Sequence, residues 1–508
     1  MDYILEMKAI TKRFGTLLAN DHVNFNLKAG EIHALLGENG AGKTTLMNIL
    51  YGIYKADEGK IYYKGNELHL ESPKDAINIG IGMVHQHFML VPAMTVLENI
   101  ILGQTDSLKK MDLETPRREI QKLCDTYNFR LDLDSKVCDL SVGAQQRVEL
   151  VKVLYRGADV LILDEPTAVL TPQEVSELFE ILCEFIKQGK SIIIISHKLW
   201  EVKRFSDRCT VLHSGKIIDT VVTADVEEKE LATMMVGKSV NLQIVKNKVT
   251  SEDTILTLEN IYAEGFNQAS SLKNISFNLH RSEILGIAGV DGNGQQTLGD
   301  VMMNLCPLTA GRLIFNNSDF TKVSTRNRIN SGFAYIPEDR LTQGLILDFT
   351  LSENYILNCY KKKPFTTGKM FFHPNAVSSH GEKLTSEYDV RPCNSEVLAK
   401  SLSGGNQQKV ILARELSSAP KVIVAMQPTR GLDICASEFL HLKLLEAKNN
   451  GAGILLISTD LDELILVCDR ILVINEGSIM GEFVPGEVTF EEIGLMMGGI
   501  KQRKEEAI

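Results

Sequence analysis

A chain of 508 residues leaves room for at least two, and about three, domains with sizeable cores. Its net charge of −11, from 54 Lys and Arg against 65 Asp and Glu, argues against a general nucleic-acid binder, which needs a basic face. Nine scattered cysteines without a C-x-x-C pair exclude a zinc ribbon and a disulfide framework, and fit a reducing compartment.

The start, Met1-Asp2-Tyr3-Ile4-Leu5-Glu6, lacks a signal-peptide pattern. Apolar runs such as Ile192 to Ile195 and Ile454 to Ile457 are too short to span a bilayer, so work at a membrane would need a partner. Val23–Leu27 and Glu31–Leu36 predict strands. Gly37-Glu38-Asn39-Gly40-Ala41-Gly42-Lys43-Thr44-Thr45 follows and fits G-x-x-x-x-G-K-[ST], the phosphate-binding loop. Its glycines let backbone N–H groups close around phosphate oxygens at the positive end of a helix predicted over Lys43–Tyr51. Lys43 would reach the β- and γ-phosphates, and the Thr44 hydroxyl would ligate Mg²⁺. An ordinary glycine-rich turn would need neither the strand before nor the helix after.

Strands are further expected at Gly59–Tyr63, Gly82–Gln86, Val160–Leu163 and Ser191–Ser196, and helices at Thr171–Lys187 and Leu199–Phe205. Alternating strands and helices indicate an α/β core. Between Thr95 and Leu140 the pattern turns helical and polar, so a helical subdomain interrupts that core. A polar stretch without periodicity, Gly237 to Asp253, separates two domains, placed at residues 1–238 and 254–500 with a linker at 239–253. Lys361-Lys362-Lys363 with Phe371-Phe372 just beyond is basic and aromatic, but a surface loop is favoured, since nothing else supports nucleic acid. The tail Lys501 to Glu506 reads as solvated charge.

The second half repeats the first. Gly37 to Gly42 recurs as Gly289-Val290-Asp291-Gly292-Asn293-Gly294, and Val84-His85-Gln86 as Ile336-Pro337-Glu338, at one spacing. Leu140-Ser141-Val142-Gly143-Ala144-Gln145 recurs as Leu402-Ser403-Gly404-Gly405-Asn406-Gln407 at a second, larger spacing. Leu163-Asp164-Glu165-Pro166-Thr167 recurs as Ala425-Met426-Gln427-Pro428-Thr429, and Ile195-Ser196-His197 as Ile457-Ser458-Thr459, at that same spacing. The domain is duplicated, with an insertion between Glu338 and Leu402.

The order of phosphate loop, glutamine, Leu-Ser-x-Gly-x-Gln, Asp-Glu-Pro and histidine resembles the ATP-binding cassette ATPases, over nearly the whole chain and twice. The resemblance implies two tandem nucleotide-binding domains, each a RecA-like core with a helical subdomain and an antiparallel β subdomain, with ATP and Mg²⁺ as ligands. Asp164 then helps Thr44 and Gln86 hold Mg²⁺, and Glu165 is the general base for the attacking water. Gln86 senses the metal and γ-phosphate, His197 contacts the γ-phosphate, and Phe14 stacks on adenine.

The second copy departs in one direction: Lys43, Thr44, Asp164, Glu165, Gln86 and His197 become Gln295, Gln296, Met426, Gln427, Glu338 and Thr459. Losing the lysine forfeits charge-assisted bonds worth roughly 1.5–3 kcal/mol each. The second copy is therefore not expected to hydrolyse ATP usefully. Its signature Ser403-Gly404-Gly405-Asn406-Gln407 is intact, whereas Val142 replaces the first signature glycine of copy one. In the family each ATP lies between one copy's phosphate loop and the other's signature. The expectation is an intramolecular pseudo-dimer with one working site, Gly37–Thr45 with Ser403–Gln407.

Tandem cassettes with an altered second loop resemble the ATPase subunits of importers for simple sugars and nucleosides. Stretches 84–90 and 427–433 resemble the nucleoside branch. That implies two integral permease subunits, which need not be identical, and an extracytoplasmic solute-binding protein. It implies no nucleic-acid partner, one chain per transporter, and a peripheral place on the cytoplasmic face of the membrane. Phe88 and Met89, near Gln86, would border the groove where a permease helix docks. The alternative is a soluble tandem-cassette factor acting on ribosomes, which usually keeps two catalytic sites and a long charged linker. A DNA-repair ATPase would show inserted zinc cysteines, and none are present.

Overall fold

A computed structural model describes residues 3–15, 17–86, 88–103, 113–127, 129–167, 170, 172–236, 253–367 and 371–501. The chain divides into two compact units, Met1–Leu242 and Gln243–Ile508. The linker expected at 239–253 falls outside the described residues except for Asp253, as does nearly all of the charged tail.

In the first unit a six-stranded sheet runs in the order Lys216–Val222, Arg208–His213, Ile32–Leu36, Ser191–Ser196, Val160–Asp164, Ile81–Val84. All pairs are parallel except the edge hairpin 208–222, which was not expected from sequence. The three central strands are buried along their whole length, because both faces are covered. Ile193 and Ile195 pack toward a four-stranded antiparallel sheet, built from 17–27, 5–14, 58–63 and 66–68. Ile192 and Ile194 pack toward the helical side. The period of two sorts one apolar run into two cores.

The helical side comprises Val96–Ile101, Glu114–Thr126 and Val142–Tyr155. Thr95 starts it with a capping box: its hydroxyl accepts from the Glu98 N–H, and the Glu98 carboxylate accepts from the Thr95 N–H. The strand expected at 82–86 covers Ile81–Val84 instead, so Gln86 sits two residues past its end.

The second unit repeats this plan on its own. Its six-stranded sheet has the order Phe333–Ile336, Val422–Met426, Gly453–Ser458, Ile284–Ala288, Arg470–Asn475, Ser478–Phe483. The antiparallel sheet is built from 272–280, 254–263, 310–315 and 318–319. The segment expected as a plain surface loop forms a short ribbon, Thr366–Thr367 with Phe371–Phe372. Phe365 is buried at its base and Phe371 is exposed.

One buried charge ties the second glycine-loop helix, Gln295–Met303, to the rest of its unit. Arg328 is 1% exposed, and burial pushes its guanidinium down to about 10. It donates to the carbonyls of Val301 and Met302 at the helix end, and to those of Phe320, Thr321 and Val323. Arg328→Met strands these acceptors without water. It is expected to cost about 3 kcal/mol or more in chemical denaturation, with faster hydrogen exchange in 295–336.

Candidate active site

Strands 32–36, 160–164 and 191–196 end side by side, with Leu36 paired to Ser196 and Asp164 to Ile195. The loops leaving these ends share one edge of the sheet, the usual place for ligands in such folds. The first is Gly37–Thr45. A Cβ on Gly37 would collide with the Leu212 carbonyl oxygen, and one on Gly42 with that of Ala19. Gly40 and Gly42 have φ of 82° and 102°, conformations open chiefly to glycine. Successive N–H groups held this way form the concave nests that take phosphate. Gly42 immediately precedes the helix Lys43–Leu50, anchored through buried Leu46, Met47, Ile49 and Leu50.

Lys43 is 5% exposed. Its Nζ donates to the Gly37 and Glu38 carbonyls at 2.7 and 2.9 Å, so its charge is held across its own loop. Burial pushes its pKa down, against the pull of Glu165, Asp164 and Glu38.

Asp164 ends its strand 6% exposed. Burial, and then the neighbouring Glu165 charge, push its carboxyl up to about 6, while Lys43 and a Thr44 hydrogen bond oppose this. A buried carboxylate in that state favours a cation. Among the described residues no group of three or more His, Cys, Asp and Glu could hold a metal ion by itself. Mg²⁺ commonly takes one or two carboxylates together with phosphate oxygens and water. Asp164 with the Thr44 hydroxyl fits that donor set.

Glu165 turns sharply at φ 48°, with its N–H donating to the Ile195 carbonyl at 3.0 Å. Such a conformation costs a non-glycine residue of order 1–3 kcal/mol. It brings the carboxylate between two residues far away in sequence. Gln86 Nε2 donates to Oε2 at 2.8 Å, and His197 Nδ1 lies 3.0 Å from Oε1. A carboxylate only accepts, so His197 carries its proton on Nδ1 in this contact. Burial pushes Glu165 up, but the His197 hydrogen bond and the His197, Lys43 and Lys198 charges outweigh it and hold the carboxyl below its ordinary value.

Phe14 is 42% exposed, edge-on to Tyr54 at 5.3 Å, with Lys12 Nζ 5.6 Å from its ring. It is an open aromatic shelf rather than core. Sequence reasoning missed Tyr54, and also Glu201, which is buried and accepts from the Ser196 and Thr167 hydroxyls. Glu201 fixes the turn that aims His197. Its signal is an acid on the inner face of a short helix right after Ser-His.

Gly37–Thr45, Gln86, Asp164, Glu165 and His197 thus belong to one edge of the first unit, while Ser403–Gln407 belong to the second. There Ser403 precedes the helix Gly404–Leu416, Asn406 Nδ2 donates to Ser403 Oγ at 2.9 Å, and Gln407 Nε2 donates to the Ala399 carbonyl at 3.2 Å. A Cβ on Gly404 would lie 2.8 Å from an Arg340 guanidinium nitrogen, so a side chain here would have to displace that arginine.

The sequence profile of the ABC transporter family matches residues 20–168 and 272–430. The chain is 46% identical to a nucleoside import ATP-binding protein of Lactococcus lactis, covering 98% of each. It is 44% identical to a guanosine import ATP-binding protein of Bacillus subtilis, covering 99% of each. It is 43% identical to a glucose import ATP-binding protein of Haloferax volcanii, covering 97% of this chain and 96% of that one.

Asp164 generates a pH-dependent stability. Raised from 3.8 to about 6, it favours the ligand-free fold only while protonated, and this contribution is lost as pH rises through about 6. The loss is on the order of 3 kcal/mol. Asp164→Asn should therefore raise the melting temperature of the ligand-free chain well above pH 6, with little gain below pH 4. Thermal melts of both proteins across that range check it.

Proposed function

We propose, for a chain that belongs to the ABC transporter family and hydrolyses ATP, that it energises the import of nucleosides through a single competent ATP site. The carrying observation is the Glu165 carboxylate, held between Gln86 and His197 beside Lys43 and Asp164. The nucleotide-holding edge is that of the first unit, and the second unit's Ser403-Gly404-Gly405-Asn406-Gln407 keeps the family's signature intact.

The geometry supports the roles that the family resemblance implies. The Gly37–Thr45 backbone and Lys43 cradle the triphosphate, and Phe14 with Tyr54 offers the adenine a face. Mg²⁺, when bound, supplies charge neutralisation at the phosphates, and Thr44 and Asp164 are the residues placed to hold it, with Gln86 beside them. Glu165 is ionised at neutral pH, so it accepts a hydrogen bond from the attacking water, orients it and takes its proton. His197 and Gln86 position that carboxylate, and with nucleotide bound they would be the side chains nearest Glu165 to contact the γ-phosphate and metal, as the family resemblance implies. Lys43 then trades loop carbonyls for phosphate oxygens.

Gln86 also begins the route by which the site moves something. Two residues on, Phe88 is half-buried, and Met89 is 65% exposed. The Met89 backbone is bonded to the helix 142–155, its N–H to Glu149 at 2.8 Å and its carbonyl to Lys152 at 3.2 Å. A cavity of about 210 Å³ opens beside them, lined by His85, Met89, Asn99, Glu149, Lys152 and Arg156 among others. A cytoplasmic helix of a permease subunit docks there in this reading. Two integral permeases, an extracytoplasmic solute-binding protein and one copy of this chain complete the transporter, with the chain peripheral on the cytoplasmic face. Among the described residues no helix is long and apolar enough to cross a membrane.

The nucleoside assignment is supported by the two relatives named for nucleoside and guanosine import, and by stretches 84–90 and 427–433. The ribosome-factor alternative has less support, since relatives matching nearly the whole chain are named for import.

Glu165→Gln is expected to lower ATP turnover by about 10²- to 10⁴-fold, while Gln427→Glu restores no second site. Steady-state phosphate release measures both. In cells, Lys43→Ala is expected to abolish uptake of labelled uridine and leave ribose uptake unchanged. Loss of ribose uptake alone would overturn the nucleoside branch.

A further inference from the structure

In the second unit the glycine loop keeps the first loop's shape. Gly292 and Gly294 have φ of 87° and 104°, against 82° and 102° for Gly40 and Gly42. The difference is what fills it. Gln295, in the place of Lys43, is equally buried, and its amide serves the loop at both ends. Nε2 donates to the Val290 carbonyl at 2.8 Å, the counterpart of the Lys43 bond to Glu38. Oε1 accepts the Asn293 N–H at 3.0 Å. Lysine has no acceptor and cannot make this second bond. The Asn293 N–H is thereby held by a side chain, whereas its counterpart in the first loop, the Ala41 N–H, donates to the Glu38 backbone carbonyl at 3.1 Å. Asn293 closes the loop further, with Nδ2 donating to the Val290 carbonyl at 3.1 Å and Oδ1 accepting the Glu476 N–H at 3.0 Å.

The metal seat is rebuilt as core. Met426, in the place of Asp164, is 1% exposed and belongs to the cluster of Leu298, Val301 and Met302. It lies over Gly299, where a Cβ would collide with its sulfur. Gly299 stands where the first unit has Met47, itself fully buried. The volume of one methionine has moved from helix to strand end, so a carboxylate at 426 would also leave a void. Gln296, in the place of Thr44, donates to Asp300 at 3.1 Å. Gln427 keeps the strained turn at φ 45°, but its Oε1 accepts from the Thr459 N–H and hydroxyl. Glu338, in the place of Gln86, pairs with Arg430 and feels the charge of Asp291. The loop position that holds Lys43 in the first unit carries no cation here, and the nearby Arg430 guanidinium is already paired with Glu338.

We infer that the second loop is self-liganded: Gln295 occupies the phosphate's place and Met426 the metal's, so the chain loads one nucleotide, at Lys43, and its second unit works without one. This rests on the first loop being the nucleotide site, as proposed above. The test is equilibrium dialysis of the full-length Glu165→Gln chain with radiolabelled ATP and Mg²⁺, run to saturation, then repeated with Lys43→Ala added. The expected result is one ATP per chain, lost to background with Lys43→Ala. Two ATP per chain, one of them surviving Lys43→Ala, overturns the inference while leaving the first site standing; a single ATP that survives Lys43→Ala overturns the assignment of the first loop as well. No binding to the Glu165→Gln chain would overturn the assignment of the first loop, and the inference with it.

Discussion

Three strands buried on both faces end within one residue of each other, Leu36 level with Ser196 and Asp164 with Ile195, and the reactive groups of the first unit hang from those ends. The constraint is the parallel ladder. Once Ile32–Leu36, Val160–Asp164 and Ser191–Ser196 pair with no slip, the glycine loop, the two carboxylates and the histidine turn must emerge together. A one-residue slip would turn each apolar set to the wrong core. The antiparallel and helical layers hold that register by burying alternate residues of the same strands.

The two units show how far chemistry can change on one backbone. The glycine loops share their left-handed turns, and Glu165 and Gln427 share a positive φ near one another in value. The strain at that turn therefore belongs to the fold and not to catalysis, because it persists where the base has become an amide. The changed positions compensate locally. Gln295 satisfies the loop that Lys43 satisfied, and Met426 fills the room that Gly299 vacates. Such paired changes stabilise a unit that has given up its ligand contacts. They also account for an altered copy retaining a buried, well-packed core.

In the first unit a few residues of chain carry contacts both to the carboxylate and to the helix 142–155. Gln86 holds Glu165, and Met89, three residues later, is bonded at both its N–H and carbonyl to the helix that begins at the signature.

The amino-acid sequence by itself determined the duplicated α/β architecture, the glycine loop, the Asp-Glu pair, the glutamine and the histidine. These are legible because each depends on residue type at fixed local spacing: glycine where φ is positive, apolar runs where a strand is covered on both faces, a carboxylate where such a run stops. The edge hairpin 208–222 was not legible, since its outer strand is half exposed and carries no clean alternation. Only the tertiary structure decided which groups meet. That Glu165 is held at both oxygens, that Glu201 ties Thr167 to the His197 turn, and that Met426 packs over Gly299 are contacts between distant segments. Sequence names the participants, but long-range packing sets the distances, and hydrogen bonds exist only at those distances.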